Sequence, residues 1–123
     1  MEDPKDIVWN TITESAKTRF DYKEYEAGFS EFGSDNVAEN VLFRTIIGYA
    51  QGCSSKDIAA DINTRFLMTG FSSADGEMQR FVAGKEAMLK HEIRAAKAAL
   101  SLFEMGLEPP GILVQVRSIL KSA

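Results

Sequence analysis

The stretch from Glu77 to Met105, EMQRFVAGKEAMLKHEIRAAKAALSLFEM, contains no proline and constrains the fold more than any other part of the chain. Met78, Val82, Leu89, Ile93, Ala96, Leu100 and Phe103 recur at steps of three, four and seven, with Lys85 interrupting, which is one face of a helix. Gln79, Lys90, Arg94, Lys97 and Glu104 fall on the opposite side, and Glu86 precedes Lys90 by four residues, the order that supports an exposed helix. Ala95, Ala96, Ala98 and Ala99 combine high helix propensity with small side chains. Ala95, Ala98 and Ala99 form an edge expected to be available to a second copy of the chain, which makes a homodimer one expected assembly. Gly106 stands where a left-handed residue ends a helix, and Pro109 and Pro110 follow. Gly84 costs about 1 kcal/mol relative to alanine, so the stretch reads as one long helix or as two broken at that point.

A partner for this helix lies upstream. In DNVAENVLFRTIIGYAQG, apolar residues from Val37 to Ala50 cover most of the circumference, the pattern of a buried helix. Ser34 or Asp35 caps it and Gly52 ends it, while Gly48 allows a close crossing or a ligand's approach. Arg44, alone on this apolar element, must reach solvent or a carboxylate such as Glu39, because an unpaired buried charge is very costly.

Before it, Asp3 as N-cap, Pro4 at the first position and Asp6 in the first turn open a helix that ends near Phe20. Its apolar stripe is Ile12, Ala16 and either Val8 or Trp9. Then DYKEYEAGFSEF places Tyr22, Tyr25, Phe29 and Phe32 on one stripe, with Glu24, Glu26 and Glu31 among them and Gly33 closing it. Ser54 caps a further helix through Phe66, with Asp57 at the capping-box position and Ile58, Ile62 and Phe66 on one face. After the prolines, Ile112, Val116, Ile119 and Leu120 fit a helical stripe better than a strand, which would have no partner. The expected architecture is all-α: one domain, residues 1–123, a compact bundle of five or six helices with one long helix in its C-terminal half.

At 123 residues, with 45% apolar and 26% charged side chains, the chain can bury a core without disulfides or metal. No apolar run approaches the ~20 residues of a membrane-spanning helix. The acidic start, MEDPKDIVWN, does not read as a secretory signal, and the single cysteine, Cys53, agrees with a reducing compartment, so the expected location is the cytoplasm. The net charge of −4 weighs against nucleic acid. Residues 1–50 hold 10 acidic and 5 basic side chains, an acidic half suited to a basic partner.

No catalytic constellation emerges. The single histidine, His91, is followed by Glu92, but position 95 is alanine where a zinc-protease motif needs its second histidine. Met88 stands where a di-iron Glu-x-x-His would need glutamate. No phosphate-binding glycine loop is present, and neither metal nor cofactor is expected. Cys53 precedes a helix N-terminus, where a thiol can become nucleophilic, but His91 is the only imidazole able to serve it.

Three functions remain. The first is a non-enzymatic interaction protein, an inhibitor or adaptor docking onto a protein partner through Tyr22, Glu24, Tyr25, Glu26, Phe29, Glu31 and Phe32, since aromatics are enriched in interface cores. The second follows from QGCSSKDIAADI, which resembles the Gly-x-Ser-x-Lys-x-Ile-Ala run opening the helix-turn-helix of LuxR-type DNA-binding domains; the resemblance implies a DNA-binding regulator with Lys56 and Arg65 as contacts. The third is a small-molecule binding module with an apolar pocket between helices lined by Phe43, Tyr49, Phe66, Met68 and Phe103.

Overall fold

The computed structural model describes residues 3–18, 35–66 and 77–121, and every regular element among them is an α-helix. In chain order these are α1 (Pro4–Lys17), α2 (Asp35–Ala50), α3 (Ser55–Phe66), α4 (Glu77–Ala83), α5 (Lys90–Glu104) and α6 (Pro109–Lys121). No helix among the described residues is long and apolar enough to cross a membrane.

Caps expected from the sequence form as the backbone requires. The Asp3 carboxylate accepts the Lys5 amide at 2.9 Å, meeting one of the unpaired donors at the start of α1. Ser54 Oγ accepts the Asp57 amide at 3.2 Å and opens α3. α2 and α5 end alike. Gly52 and Gly106 take φ of +83° and +84°, the left-handed region open to glycine. In α2 the Gly52 amide donates to the Tyr49 carbonyl and the Cys53 amide to the Gly48 carbonyl; in α5 the Gly106 amide donates to Phe103 and the Leu107 amide to Leu102. Both are complete Schellman ends.

The long C-terminal-half stretch is two helices, with the break at Gly84. From Gly84 to Leu89 the chain makes turns: the Lys85 amide reaches back three residues to the Val82 carbonyl, and the Glu86 amide three residues to Ala83. Leu89 then stands at the N-cap of α5 without a side-chain cap and is wholly buried. Residues 109–121 form a helix that begins at the two prolines, whose missing N–H groups cost nothing in a first turn.

α1, α2, α5 and α6 form a four-helix body in which α5 packs on the other three. Its core is Val8, Ile12 and Ala16 from α1, Val41, Leu42 and Ile46 from α2, Ile93, Ala96 and Ala99 from α5, and Ile112 and Val116 from α6. Burying each of the larger of these side chains contributes about 1.5–3 kcal/mol. α3 and α4 pack on each other, and α3 leans on α2. There a Cβ at Gly48 would lie 2.5 Å from Ile58 Cγ1, so the absent side chain is what lets α3 cross so closely.

The surfaces of α2 and α5 bear differently on what the sequence implies. α2 is buried along most of its length, as its pattern implies. Ala95 and Ala99, expected to lie on a free edge for a second copy, are instead fully buried. With three helices packed around α5, small residues are needed on more than one of its sides, so this alanine edge belongs to the chain's own core.

Candidate functional site

A cleft of ≈270 Å³ lies between α1 and α2, lined by Asp6, Trp9, Asn10, Thr13, Glu39, Asn40 and Phe43. Helical spacing assembles it. Asp6, Trp9, Asn10 and Thr13 follow one another at i, i+3, i+4 and i+7 on α1, and Glu39, Asn40 and Phe43 share one turn of α2. Trp9 and Phe43 meet edge to face with ring centroids 6.0 Å apart. Phe103 of α5, partly buried, packs against Trp9, 5.6 Å away and tilted, and Lys5 Nζ lies 6.0 Å from the Phe103 ring centre.

Asp6 and Glu39 contribute two carboxylates to this cleft and Asn10 and Asn40 two amides, and among the described residues no lysine or arginine lines it. The Thr13 hydroxyl donates its hydrogen to the Trp9 carbonyl at 2.9 Å, so its oxygen has only acceptor capacity left. Lys17 stands at the edge, 3.4 Å from Glu39 and 3.2 Å from Glu14.

A second cleft of ≈310 Å³ lies between α2 and α3, with Arg44, Gln51, Cys53, Asp57 and Asp61 around Ile47, Gly48 and Ile58. Its charge is mixed. Arg44 is half-buried on α2, and its guanidinium lies 5.8 Å from the Phe43 ring centre. Glu39, named as one carboxylate that Arg44 could reach if not solvent, pairs with Lys17 at 3.4 Å.

The residues singled out in the sequence fall in different places. Tyr22, Glu24, Tyr25, Glu26, Phe29, Glu31 and Phe32, and Met68, lie outside the described residues. Lys56 is exposed on the first turn of α3; Arg65 and Phe66 belong to the same helix, but their side chains are outside the description. Phe43 and Phe103 are brought together through Trp9. Tyr49 is not part of that group: its hydroxyl donates to the Val82 carbonyl at 3.0 Å, tying α2 to α4. Burial raises the Tyr49 phenol above its ordinary value of 10.0, and the Glu86 carboxylate adds to the effect. Cys53 sits half-buried in the α2–α3 cleft.

Sequence reasoning missed Asp6, Asn10, Thr13, Glu39 and Asn40 as a set. The signal was a polar stripe at helical spacing on α1, legible only once α2 is known to lie beside it. It also missed Glu92, which is wholly buried on α5. Its position three residues after Leu89 and four before Ala96 does place it on the core face. Among the described residues, no group of three or more His, Cys, Asp or Glu side chains could hold a metal ion. No protein-family model, no curated protein and no solved structure matches this chain.

Proposed function

We propose that the chain is a small non-enzymatic interaction protein, of the inhibitor or adaptor kind, which docks onto a protein partner through the face where α1 meets α2. The observation that carries this reading is the cleft itself, in which two carboxylates and two aromatic rings line one concavity, with Lys17 at its edge and Arg44 beside the Phe43 ring. Acidic groups beside aromatic anchors suit a basic segment of a partner, because complementary charge steers the encounter and the buried rings supply contact area. Residues 1–50 as a whole hold 10 acidic and 5 basic side chains, a balance of the same sign. The reading places the protein in the cytoplasm, in keeping with its single half-buried thiol.

The test is capture of binding proteins from the source organism with parent protein and with the double variant Asp6→Lys, Glu39→Lys. A partner held by the parent and lost by the folded variant supports the reading. A partner retained equally by both removes this face from consideration.

A small-molecule module is the second reading, favoured by the mixed-charge α2–α3 cleft around Arg44. Native mass spectrometry against the denatured mass distinguishes it, since only this reading expects a small mass that denaturation releases. DNA binding through α3 is weaker, because Asp57 and Asp61 stand exposed on the same short helix as Lys56 and oppose phosphate.

A further inference from the structure

We infer that the α1–α2 cleft takes the guanidinium group of an arginine side chain presented by a protein partner, an assignment that rests on the docking reading above and names its recognition chemistry. Hydrogen-bonding capacity points first to a donor. The Asp6 and Glu39 carboxylates only accept, and Thr13 has committed its one hydrogen to the Trp9 carbonyl at 2.9 Å. Asn10 and Asn40 on the same lining both donate and accept, so it is the two carboxylates, the charged groups of the cleft, that favour a cationic ligand rich in N–H groups. A guanidinium has five, in a planar fork that matches carboxylates.

The aromatic walls narrow the choice further. Trp9 and Phe43, 6.0 Å apart and half-buried, offer ring surface beside the carboxylates. A planar, weakly hydrated guanidinium stacks on aromatic rings as well as pairing with carboxylates, whereas a lysine ammonium is a compact, strongly hydrated point charge. Size agrees. A volume of ≈270 Å³ falls just below that of pockets which enclose drug-sized molecules, about 300–1,000 Å³, and suits one inserted side chain.

The protein also carries its own competitor. Lys17, 3.4 Å from Glu39, neutralises part of the acidic rim from the edge of the cleft. Removing that charge therefore strengthens binding of an outside cation, an effect that a merely structural role for these residues does not produce.

Trp9 is the only tryptophan, so its fluorescence reports on the cleft directly. The experiment titrates the full chain with three capped pentapeptides, Gly-Gly-X-Gly-Gly, in which X is arginine, lysine or citrulline, the last being arginine's neutral counterpart. The arginine peptide is expected to give a saturable change, at least about 5-fold tighter than lysine and at least about 10-fold tighter than citrulline. Asp6→Asn with Glu39→Gln weakens it by about 10-fold or more, and Lys17→Gln tightens it about 2-fold. Circular dichroism and melting confirm that each variant is folded, and all three changes lie on exposed or half-buried side chains.

Equal affinity for the arginine and lysine peptides overturns the guanidinium assignment while leaving an acidic docking cleft. Arginine binding that survives Asp6→Asn with Glu39→Gln overturns the site. No saturable response to any peptide also overturns the assignment; the docking reading falls separately, only when charge reversal leaves partner capture intact.

Discussion

The four-helix body and the α3–α4 pair are held by different means. In the body, α5 is packed by α1, α2 and α6, and α1 touches each of the other three, so its stability is spread over many apolar contacts. The pair leans on the body chiefly through α2. Its described links are specific: Ile58 seated against Gly48, and the Tyr49 hydroxyl on the Val82 carbonyl. Damage to the body should therefore unfold the whole chain, and damage to the pair should open it locally, since regions with fewer shared contacts open at lower free energy.

The largest effect is expected from Ala99→Glu. Ala99 has no exposed surface and lies on the helix that touches all the rest of the body. A carboxylate there is buried or forces the helices apart, a loss of at least about 4 kcal/mol. Urea unfolding followed by circular dichroism should show little or no folded protein, with every helix lost together. A variant that stays folded and only changes its oligomeric state would restore the alanine edge as a surface and break the contrast between body and pair.

A smaller effect belongs to the seam. Gly48→Ala pushes a Cβ to 2.5 Å from Ile58 Cγ1 and 2.9 Å from its Cδ1, and overpacking of this kind costs about 1–3 kcal/mol. Ile58→Ala removes both of those atoms, leaving Cβ at an ordinary 3.5 Å. Alanine at 48 should therefore be tolerated in that background, and the double variant should lose less than the sum of the singles by more than about 0.5 kcal/mol. Denaturation midpoints of the four proteins measure this. Additive losses would mean that the two helices are not held at this contact.

Most of the body is legible in the amino-acid sequence alone. Asp3, Gly52 and Gly106 mark ends that the backbone needs, and the apolar stripes of α1, α2 and α6 name the faces that are buried. Two things are not. The buried surface of α5 is wider than one face because three helices surround it, so Ala95 is interior although it lies off the stripe that the spacing marks, and Glu92, which the spacing does place on the core face, is a carboxylate that an apolar pattern does not name. The α1–α2 cleft is likewise a product of two stripes from distant parts of the chain. Asp6 and Glu39 become one rim only through tertiary packing, which periodicity along a single helix does not encode.

The subtlest prediction concerns Tyr49. Its hydroxyl donates at 3.0 Å to a carbonyl that also accepts the Lys85 amide at 3.1 Å, so Tyr49→Phe leaves Val82 partly satisfied and costs about 0.5–1.5 kcal/mol. That loss should appear first in hydrogen exchange of α4, with α1 and α6 still protected. A pH signature accompanies it. Burial, reinforced by Glu86, favours the neutral phenol in the folded chain and raises its pKa above 10.0. The unfolded chain releases that proton near 10.0, so the contribution is fully present below this pH and is lost as the pH rises from there through the higher folded-state value. Parent and variant, compared by urea unfolding from about pH 8 to about pH 11, should converge at the alkaline end. Parallel curves, or exchange that quickens equally in all six helices, would show that Tyr49 is one more core residue and that the α3–α4 pair is no less firmly built than the body.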